Sequence, residues 1–587
     1  MLSAAFLAAA DNPLELNCYQ QSFSVTFPSV EAAAAAQLTP RGLPAKYDVA
    51  FSSRWDDNTN NHFNTLKVMK KYGAKGNFYF NGNMSREMPV KLMSDGCLAG
   101  AHTVSHPAMN YLIANCHFYQ YMANRIAIEV QTQTPVNTQT SPFGHCKGYG
   151  KEGLRSIGKS VLATGIIGSP DSGSPQHIRD WGFPENSCAF MYRVVPGDRV
   201  PDMKKLDAVL ATHLSKPEFK KDPAISMSTH SWHTREGLVI LDEVYKKLTS
   251  NKNWWNCNQN EYAAYRYEAL NTEVKKEVTG KTVKFTVLRF EPFELGADVP
   301  LYFDITGSAA ISADGAELTD NGKQLKAKHA DGHKLPDKYG YLKLDKVSLK
   351  LAVSESDGKM TAVVENTTGS KLSDVTYIFR KPPMYGKTVE RKAVKSVDKV
   401  DSTTADLGKV TEKFRHFQEG KPYYAVQMDY SLDGKRYRLY ADCFTSERKT
   451  QEKAIGDAAV FIQRDKGPFD LKAVSVPEAS LSGLKFITKT DDIITVPGTI
   501  FLQKLDSYGY VAVVDIESEK EQKLSVNLRI SQNSRMFFNG TQIKPARKAV
   551  ITFRKGINRL AVEGRKKDKV TLFDIKGNVR YLTPCTK

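Results

Sequence analysis

The sequence predicts a multidomain protein in which an α/β domain is followed by all-β domains, and three observations support this fold class. The chain has 587 residues, which is too long for one core, because single hydrophobic cores stop growing at about 250–300 residues. Its first half alternates short apolar strands with amphipathic helices, which is typical of a parallel sheet or barrel covered by helices. Its second half consists of short alternating runs separated by Asp-Gly and Asn-Gly pairs, which suit the hairpins of β-sandwiches.

The first half forms repeated β-α-β units. We predict strands at 47–52, 77–80, 97–101 and 224–229, and helices at 61–72, 88–94, 203–213 and 237–249. In the first helix, Phe63, Leu66 and Met69 fall on one face, as helical periodicity requires. The carboxyl ends of strands in a parallel barrel meet on one face, and active sites lie there.

The sequence pattern changes from the α/β to the β-rich type near Lys275, and further domain boundaries are expected near 352 and 455. The clearest hairpin runs from Tyr423 to Cys443 around the pair Asp433-Gly434. We therefore predict an α/β domain at 21–272, a small β domain at 273–352, an Ig-like β-sandwich at 353–455 and a final β-sandwich at 456–587. The last segment resembles the galactose-binding-like jelly rolls in its stretches FFNGTQI and FRKGINRLAVE.

Charge and hydropathy exclude some classes of function. The net charge is 82 − 64 = +18, yet no run of five basic residues occurs, so we interpret the lysines as solvated and expect no nucleic-acid partner. No apolar run reaches the length of a membrane span. The sequence does not predict the oligomeric state.

The amino terminus and the cysteines both favour export. The segment MLSAAFLAAADN resembles the back half of a secretory signal without a positive n-region, so residues 1–20 are interpreted as a signal remnant or an N-terminal extension. The eight cysteines include no CxxC pair, and an even number fits an oxidising compartment. We expect a secreted, periplasmic or cell-surface protein.

Three polar stretches follow predicted strands and carry the candidate chemistry. They are the pair Asp56-Asp57, the segment HTVSHP that contains His102 and His106, and the segment SMSTH that ends at His230. Two imidazoles and one carboxylate suit zinc and leave positions open for water and substrate. We therefore predict that Asp57, His102 and His106 bind a divalent metal, with zinc as the expected ion, and that Asp56 acts as a base beside it.

These stretches resemble the motifs of the polysaccharide deacetylases, the NodB-homology family that forms carbohydrate esterase family 4. In that family the first aspartate of the pair is the catalytic base and the second a metal ligand, which implies these roles for Asp56 and Asp57. HTVSHP matches the family segment whose two histidines complete the metal triad. His230 matches the late histidine that acts as general acid, and the resemblance implies a distorted (β/α) barrel of the NodB type over about 47–270.

The sequence departs from the family pattern just before the aspartate pair and in the third motif. Arg54-Trp55 stands where the family has Thr-Phe, and Thr140 stands where it has the arginine that orients the base. Another cation, such as Arg54, would then have to hold Asp56. For the fourth motif the sequence offers only Asp171 and Asp180-Trp181 as weak matches.

Two aromatic residues are candidates for substrate binding. Phe143, within Ser-Pro-Phe-Gly, matches the position that lends a backbone N–H to the oxyanion in the family. Trp255 is a candidate aromatic wall, although a core role is its ordinary explanation. His233, close to His230, is the competing general acid.

The resemblance implies a metal-dependent hydrolase that removes N- or O-linked acetyl groups from a polysaccharide or oligosaccharide. Two alternatives stay open. The first is a non-catalytic carbohydrate-binding protein on a degenerate barrel, motivated by Thr140 and the missing fourth motif. The second is a metal hydrolase of the same fold that acts on another C–N or C–O bond.

Overall fold

The computed structural model describes residues 14–582 apart from 15, 83–86, 94–95, 107–108, 110–113, 143–150, 173–180, 222, 228–229, 293–294, 296–298, 329–343, 355–357, 384–386, 409–422, 445–459, 464–469, 482–485, 490–498, 502–509, 527–534, 545–548, 565–568 and 572–578. Two compact units are formed, one by Met1–Val410 with Tyr423–Cys443 and one by Thr411–Pro422 with Phe444–Lys587.

The first 327 residues contain fifteen of the described strands and nine of the described helices. The strands are β1 (Leu16–Thr26), β2 (Gln37–Pro40), β3 (Val49–Asp56), β4 (Gly76–Phe80), β5 (Cys97–Ala101), β6 (Gly168–Ser172), β7 (Ala189–Val194), β8 (Ala224–Met227), β9 (Trp254–Asn256), β10 (Thr272–Thr279), β11 (Thr282–Pro292), β12 (Leu301–Thr306), β13 (Ser312–Asp314), β14 (Glu317–Thr319) and β15 (Gln324–Ala327). The helices are α1 (Val30–Ala35), α2 (His62–Lys71), α3 (Met88–Leu92), α4 (Ala114–Thr132), α5 (Lys151–Ala163), α6 (Met203–Leu214), α7 (Pro217–Lys221), α8 (Arg235–Thr249) and α9 (Gln259–Leu270).

A parallel sheet in the order β5-β4-β3-β8-β7-β6, with β9 beside β3, forms the centre of the first unit. Four of its strands are buried on both faces, since every residue of β3, β4, β5 and β8 is buried. Continuous burial is what helices on the outside of a parallel sheet impose. The predicted strands and helices of this region are therefore confirmed as β-α-β units.

The sheet curls into a distorted barrel. Single parallel bridges join Ala101 to Gln139 and Thr138 to Gly168. The segment between α4 and α5 thus connects the two edge strands β5 and β6 and completes the ring. A (β/α) barrel followed by β-rich domains is the fold class that the sequence predicts, and it is confirmed.

The small β domain is built from two distant parts of the chain. β1 pairs along its whole length with β11, from Leu16 opposite Pro292 to Thr26 opposite Thr282, and β2 pairs with β12. Two four-stranded sheets, β10-β11-β1-β13 and β14-β15-β12-β2, enclose a shared apolar core that includes Phe23, Phe285 and Phe303. Residues 16–40 thus pack with residues 272–327, although the barrel segment separates the two in the sequence.

A seven-stranded sandwich completes the first unit. Its strands are β16 (Val347–Val353), β17 (Lys359–Asn366), β18 (Leu372–Arg380), β19 (Val389–Val397), β20 (Val400–Asp406), β21 (Tyr423–Leu432) and β22 (Lys435–Phe444). Sheets of order β16-β17-β20 and β19-β18-β21-β22 face each other. The predicted hairpin is confirmed as β21 and β22, and its turn residues Asp433 and Gly434 both have positive φ, at 50° and 74°, as the favoured two-residue hairpin turn requires.

The second unit is rich in strands. The described elements are β23 (Val460–Gln463), α10 (Leu471–Val474), β24 (Phe486–Lys489), β25 (Thr499–Phe501), β26 (Tyr510–Ser518), β27 (Gln522–Val526), β28 (Arg535–Phe538), β29 (Thr541–Ile543), β30 (Ala549–Phe553), β31 (Gly556–Gly564), β32 (Lys569–Thr571) and β33 (Val579–Leu582). The core of its main antiparallel sheet contains Val513, Ala561 and Leu481.

Two further features concern the described residues as a whole. None of the helices in the described parts of the chain is long and apolar enough to cross a membrane. Among the cysteines that the structure describes with their surroundings, Cys18, Cys188, Cys257 and Cys443 are free thiols.

Candidate metal centre

The barrel brings together five polar side chains that the sequence predicts to act together. Asp56 ends β3 and Asp57 follows it, while His102 comes directly after β5 and His106 lies four residues further on. His230 follows β8 and forms a single parallel bridge with Asp56. All five therefore lie at the carboxyl ends of parallel strands, which is the face where barrels place their active sites.

Asp57, His102 and His106 form a cluster suited to a metal ion. Their ligand atoms all lie within 4.8 Å of one another. Asp57 Oδ1 is 3.5 Å from His102 Nε2 and 3.1 Å from His106 Nε2. This set of donors is one that a catalytic zinc accepts while keeping a position open.

The hydrogen bonds of His102 leave its Nε2 available to a metal. The backbone oxygen of Thr140 lies 3.0 Å from His102 Nδ1, and because a carbonyl only accepts, Nδ1 carries the proton. Nε2 then has the lone pair, and in the described structure this buried atom has no hydrogen-bond partner. A buried lone pair directed at an aspartate needs a cation between the two, so the residues present fit a divalent ion.

The backbone of this cluster is held in an uncommon conformation. Asp57, Thr103 and His106 have φ values of 76°, 69° and 56°, in the left-handed region that residues other than glycine rarely adopt. His106 N donates to Thr103 Oγ1 over 3.1 Å, which closes the turn between the two histidines. Such strain persists where surrounding contacts over-determine it, and it concentrates at functional sites.

Helix α4 supplies those contacts for the histidine loop. Gln120 Oε1 accepts hydrogen bonds from the backbone N–H groups of Val104 and Ser105, at 3.0 and 3.1 Å. One turn later, Asn124 Oδ1 accepts from the backbone N–H of His102 at 2.8 Å. The position of both imidazoles therefore depends on the placement of α4.

Asp56 is held by a guanidinium from its own strand. Arg54 Nε donates to Asp56 Oδ1 over 3.0 Å, and Arg54 Nη2 donates to Oδ2. Both side chains are at most 2% exposed. Burial opposes ionisation of Asp56, but the positive charge of Arg54 holds the pKa of its carboxyl below the ordinary value. Asp56 is therefore an oriented carboxylate at neutral pH.

Arg54 occupies the role that Thr140 leaves open. The family resemblance places an arginine at position 140. This chain instead has Arg54, two residues before the candidate base Asp56. Thr140 keeps a smaller part: its Oγ1 donates to Asp56 Oδ1 over 3.2 Å and lies 2.6 Å from His102 Nδ1. The hydroxyl thus connects the candidate base to a candidate metal ligand.

His230 lies between two carboxylates. Its Nε2 is 3.7 Å from Asp57 Oδ2, and its Nδ1 is 3.2 Å from Asp198 Oδ2. Asp198, a few residues after β7, escaped the sequence analysis. The sequence does not single it out, because Asp171 and Asp180 are further carboxylates in the same part of the chain. The side chain of Asp171 and all of Asp180 lie outside the described residues.

His233 is less suited than His230 to the role of general acid. Its ring packs edge-on against Trp55, with 5.5 Å between the ring centroids. Burial lowers the pKa of His233, which disfavours the charged form that an acid must have. His233 thus packs against Trp55 of β3 and has a structural role.

His62, on the buried face of α2, links the two halves of the site. Burial lowers its pKa to about 4, so the ring is neutral near pH 7. Nε2 lies 2.7 Å from the backbone oxygen of Asp57, and Nδ1 lies 2.7 Å from Ser231 Oγ. Because a carbonyl only accepts, Nε2 donates and Nδ1 accepts from the hydroxyl. The neutral ring therefore ties the backbone of Asp57 to the residue next to His230.

The two aromatic candidates have different outcomes. Phe143 lies outside the described residues. Trp255 lies opposite Ala50 on β3, and the strand between Ala50 and Asp56 spans about 20 Å. The Trp255 ring packs against Tyr262 and Tyr265, with centroids 6.4 and 5.5 Å away. The structure thus places Trp255 half-buried against the core at the amino end of the barrel, away from the cluster of Asp57, His102 and His106.

Comparison with known proteins agrees with this geometry. Residues 49–160 match the model of the polysaccharide deacetylase family. The match spans β3 to α5, which includes the aspartate pair and both histidines of the cluster. Members of the family are hydrolases that act on acetyl groups.

Solved structures similar to the chain include three carbohydrate deacetylases or esterases. Peptidoglycan deacetylase PdaC from Bacillus subtilis is 18% identical, with a TM-score of 0.24, over 38% of this chain and 91% of that one. A family 4 carbohydrate esterase from Streptomyces lividans is 14% identical, with a TM-score of 0.25, over 36% and 91%. A family 4 acetyl xylan esterase from Clostridium thermocellum is 13% identical, with a TM-score of 0.24, over 36% and 89%. The comparison with curated proteins found no match.

Proposed function

We propose that the barrel is a metal-dependent hydrolase that removes acetyl groups from a polysaccharide or oligosaccharide. The observation that carries this proposal is the cluster of Asp57, His102 and His106, with Asp56 and His230 beside it. A metal triad, a base and an acid in one place are the parts that acyl hydrolysis needs. Two imidazoles with a carboxylate favour zinc as the ion.

Asp57, His102 and His106 would hold the ion. A divalent ion supplies Lewis acidity at such a site, because it lowers the pKa of water and polarises a carbonyl. The inward lone pair of His102 and the strained backbone at Asp57 support this assignment. The neutral ring of His62 keeps the Asp57 backbone oriented throughout.

Asp56 and His230 would move the protons. Asp56 is ionised because Arg54 and Thr140 bind its carboxylate, so it accepts the proton of the attacking water. His230 is oriented by Asp198 at Nδ1, which leaves Nε2 to donate a proton to the departing amine or alkoxide. The products are acetate and a deacetylated sugar. The family resemblance assigns the backbone N–H at Phe143 to the oxyanion, and that role stays a prediction.

The structure weakens the reasons for the alternative, a non-catalytic binding protein. That alternative rested on Thr140 in place of an arginine and on the missing fourth motif. Arg54 binds Asp56 through two nitrogens, and Asp198 contacts His230. A protein that only binds carbohydrate has no need for an ionised base and an oriented acid beside a metal triad.

Metal analysis coupled to acetate release tests the proposal. The purified protein would be stripped with a chelator, reloaded with zinc or other divalent ions, and assayed on acetylated chitin, peptidoglycan and xylan oligosaccharides. We expect one bound ion per chain and acetate release that disappears with the ion and returns on reloading. Glycan binding without acetate release would favour a binding protein, and release of a product other than acetate would favour a hydrolase of another bond.

A further inference from the structure

Trp232 is the exposed tryptophan of this chain. The sequence contains five tryptophans, and the structure describes all of them. Trp55 and Trp181 are 0% and 4% exposed, whereas Trp232 is 43% exposed; Trp254 and Trp255 are half-buried. An indole is among the most costly side chains to leave in water, because it is large and mainly apolar.

The backbone around Trp232 explains where its ring lies. Ser231 is fully buried and its hydroxyl binds His62 Nδ1. In an extended segment, successive side chains point to opposite sides. Because Ser231 points into the protein, the side chains of His230 and Trp232 lie together on the other side of the segment. Their rings are stacked, with centroids 3.8 Å apart and planes 3° from parallel.

We propose that Trp232 is a sugar-binding subsite, on which a pyranose ring of the acetylated substrate stacks next to the reacting acetyl group. His230 covers one face of the indole, and the exposed fraction leaves area for a second partner. His230 Nε2 is 3.7 Å from Asp57 Oδ2, so the indole lies one side chain away from the metal cluster. A ring bound there would therefore be adjacent to a bond cleaved at the cluster.

The chemistry of an indole suits a pyranose ring. A pyranose presents a flat face of C–H groups, which packs on an aromatic ring, and hydroxyl groups at its rim, which stay in water. Orientation of His230 alone does not require the exposed indole, since Asp198 already contacts Nδ1 and a backbone bridge joins His230 to Asp56. The inference rests on the proposed function, because it takes the sugar to be the substrate.

Equilibrium binding tests the subsite without turnover. Calorimetry would measure the affinity of the Asp56→Asn protein, loaded with zinc, for N-acetylchitopentaose and for acetylated xylopentaose. Adding Trp232→Ala should weaken binding of at least one of these probes about tenfold, the order of one aromatic stacking contact. Trp232→Phe, which keeps an aromatic face, should stay within about threefold. Equal affinities for the Ala and parent proteins would overturn the subsite, even if turnover fell.

Oxidation of the unmodified protein provides a test that does not depend on a variant folding. N-bromosuccinimide should oxidise Trp232 first, and a saturating oligosaccharide should protect it, as followed by peptide mass spectrometry. Oxidation at an unchanged rate under saturation would overturn the subsite. Protection of Trp232 in a protein that releases no acetate would support the subsite while contradicting the proposed function, so the two failures are distinguishable.

Discussion

Arg54 and Asp56 form a buried pair in which Nε and Nη2 of the guanidinium contact both oxygens of the carboxylate. The two residues are neighbours on one face of β3, and a two-nitrogen contact fixes the orientation of the carboxylate as well as its charge. The carboxylate that we propose as the base is therefore oriented from within its own strand.

Substitution of Arg54 tests that arrangement. Arg54→Met leaves the Asp56 carboxylate buried without its cation, so we expect a loss of stability of about 3–5 kcal/mol and loss of acetate release. The double variant Arg54→Thr, Thr140→Arg restores the order of residues in the family pattern and should recover both. Thermal unfolding and acetate release would be measured together. Full activity of the Met variant would show that Arg54 does not orient the base.

Asp198→Asn tests the orientation of His230. The amide keeps the shape but not the charge beside Nδ1, so kcat should fall by about 100-fold, near the lower limit of what acid catalysis contributes, while metal content stays unchanged. Asp207→Asn is the matched control, because Asp207 is 53% exposed in its pair with Lys247, and such pairs contribute little. An unchanged kcat would remove Asp198 from the site.

Arg438→Met tests whether the sandwich supports helix α4. Arg438 Nε is 2.6 Å from Asp429 Oδ1, and Nη1 is 2.9 Å from Glu129 Oε2 on α4. Removing a buried cation from two carboxylates should lower the stability of the first unit by about 3–5 kcal/mol. Lys350→Met, in an exposed pair with Glu365, should change the thermal midpoint little. Equal midpoints for the two variants would contradict this role.

His117 should make the first unit less stable in acid. Its ring is buried on α4 with Nε2 2.7 Å from the backbone oxygen of Met109, and burial lowers its pKa from 6.5 to about 4. Between about pH 6.5 and pH 4, His117 is therefore protonated in the unfolded chain but neutral in the folded chain. Stability is unaffected above pH 6.5 and falls by about 3 kcal/mol towards pH 4.

The variant His117→Gln checks this pH dependence. Glutamine retains a donor for the Met109 carbonyl but does not titrate, so the difference in thermal midpoint between pH 7 and pH 4.5 should shrink. If the variant and the parent protein lose stability equally over this interval, the buried neutral histidine is not the cause.

The sequence predicts those parts of the site whose signal is local. The aspartate pair and the two histidines lie within short motifs at strand ends, and their order along the chain is enough to assign them. Asp198 and His62 gain their roles only from contacts made across the barrel, with His230 and with Ser231. No spacing in the sequence marks such contacts.

Long-range pairing explains the differences in the fold. The register of β1 against β11 joins residues more than two hundred and fifty positions apart, such as Leu16 and Pro292, and alternation within either strand is compatible with other partners. Trp255 shows that a local sequence context does not determine where a residue lies in the fold. Its sequence context resembles an aromatic wall near a site, yet the parallel register of β9 places it at the opposite end of the barrel.

Side-by-side assays of Asp56→Asn and Asp57→Asn test the central claim most directly, because the two residues are adjacent and have different proposed roles. The measurements are zinc content and acetate release. We expect Asp57→Asn to lose both the metal and activity. Asp56→Asn should keep the metal and lose about 10²–10⁴-fold in rate, since an amide cannot act as a base. Loss of zinc from Asp56→Asn, or near-normal turnover by it, would contradict the division between metal ligand and base.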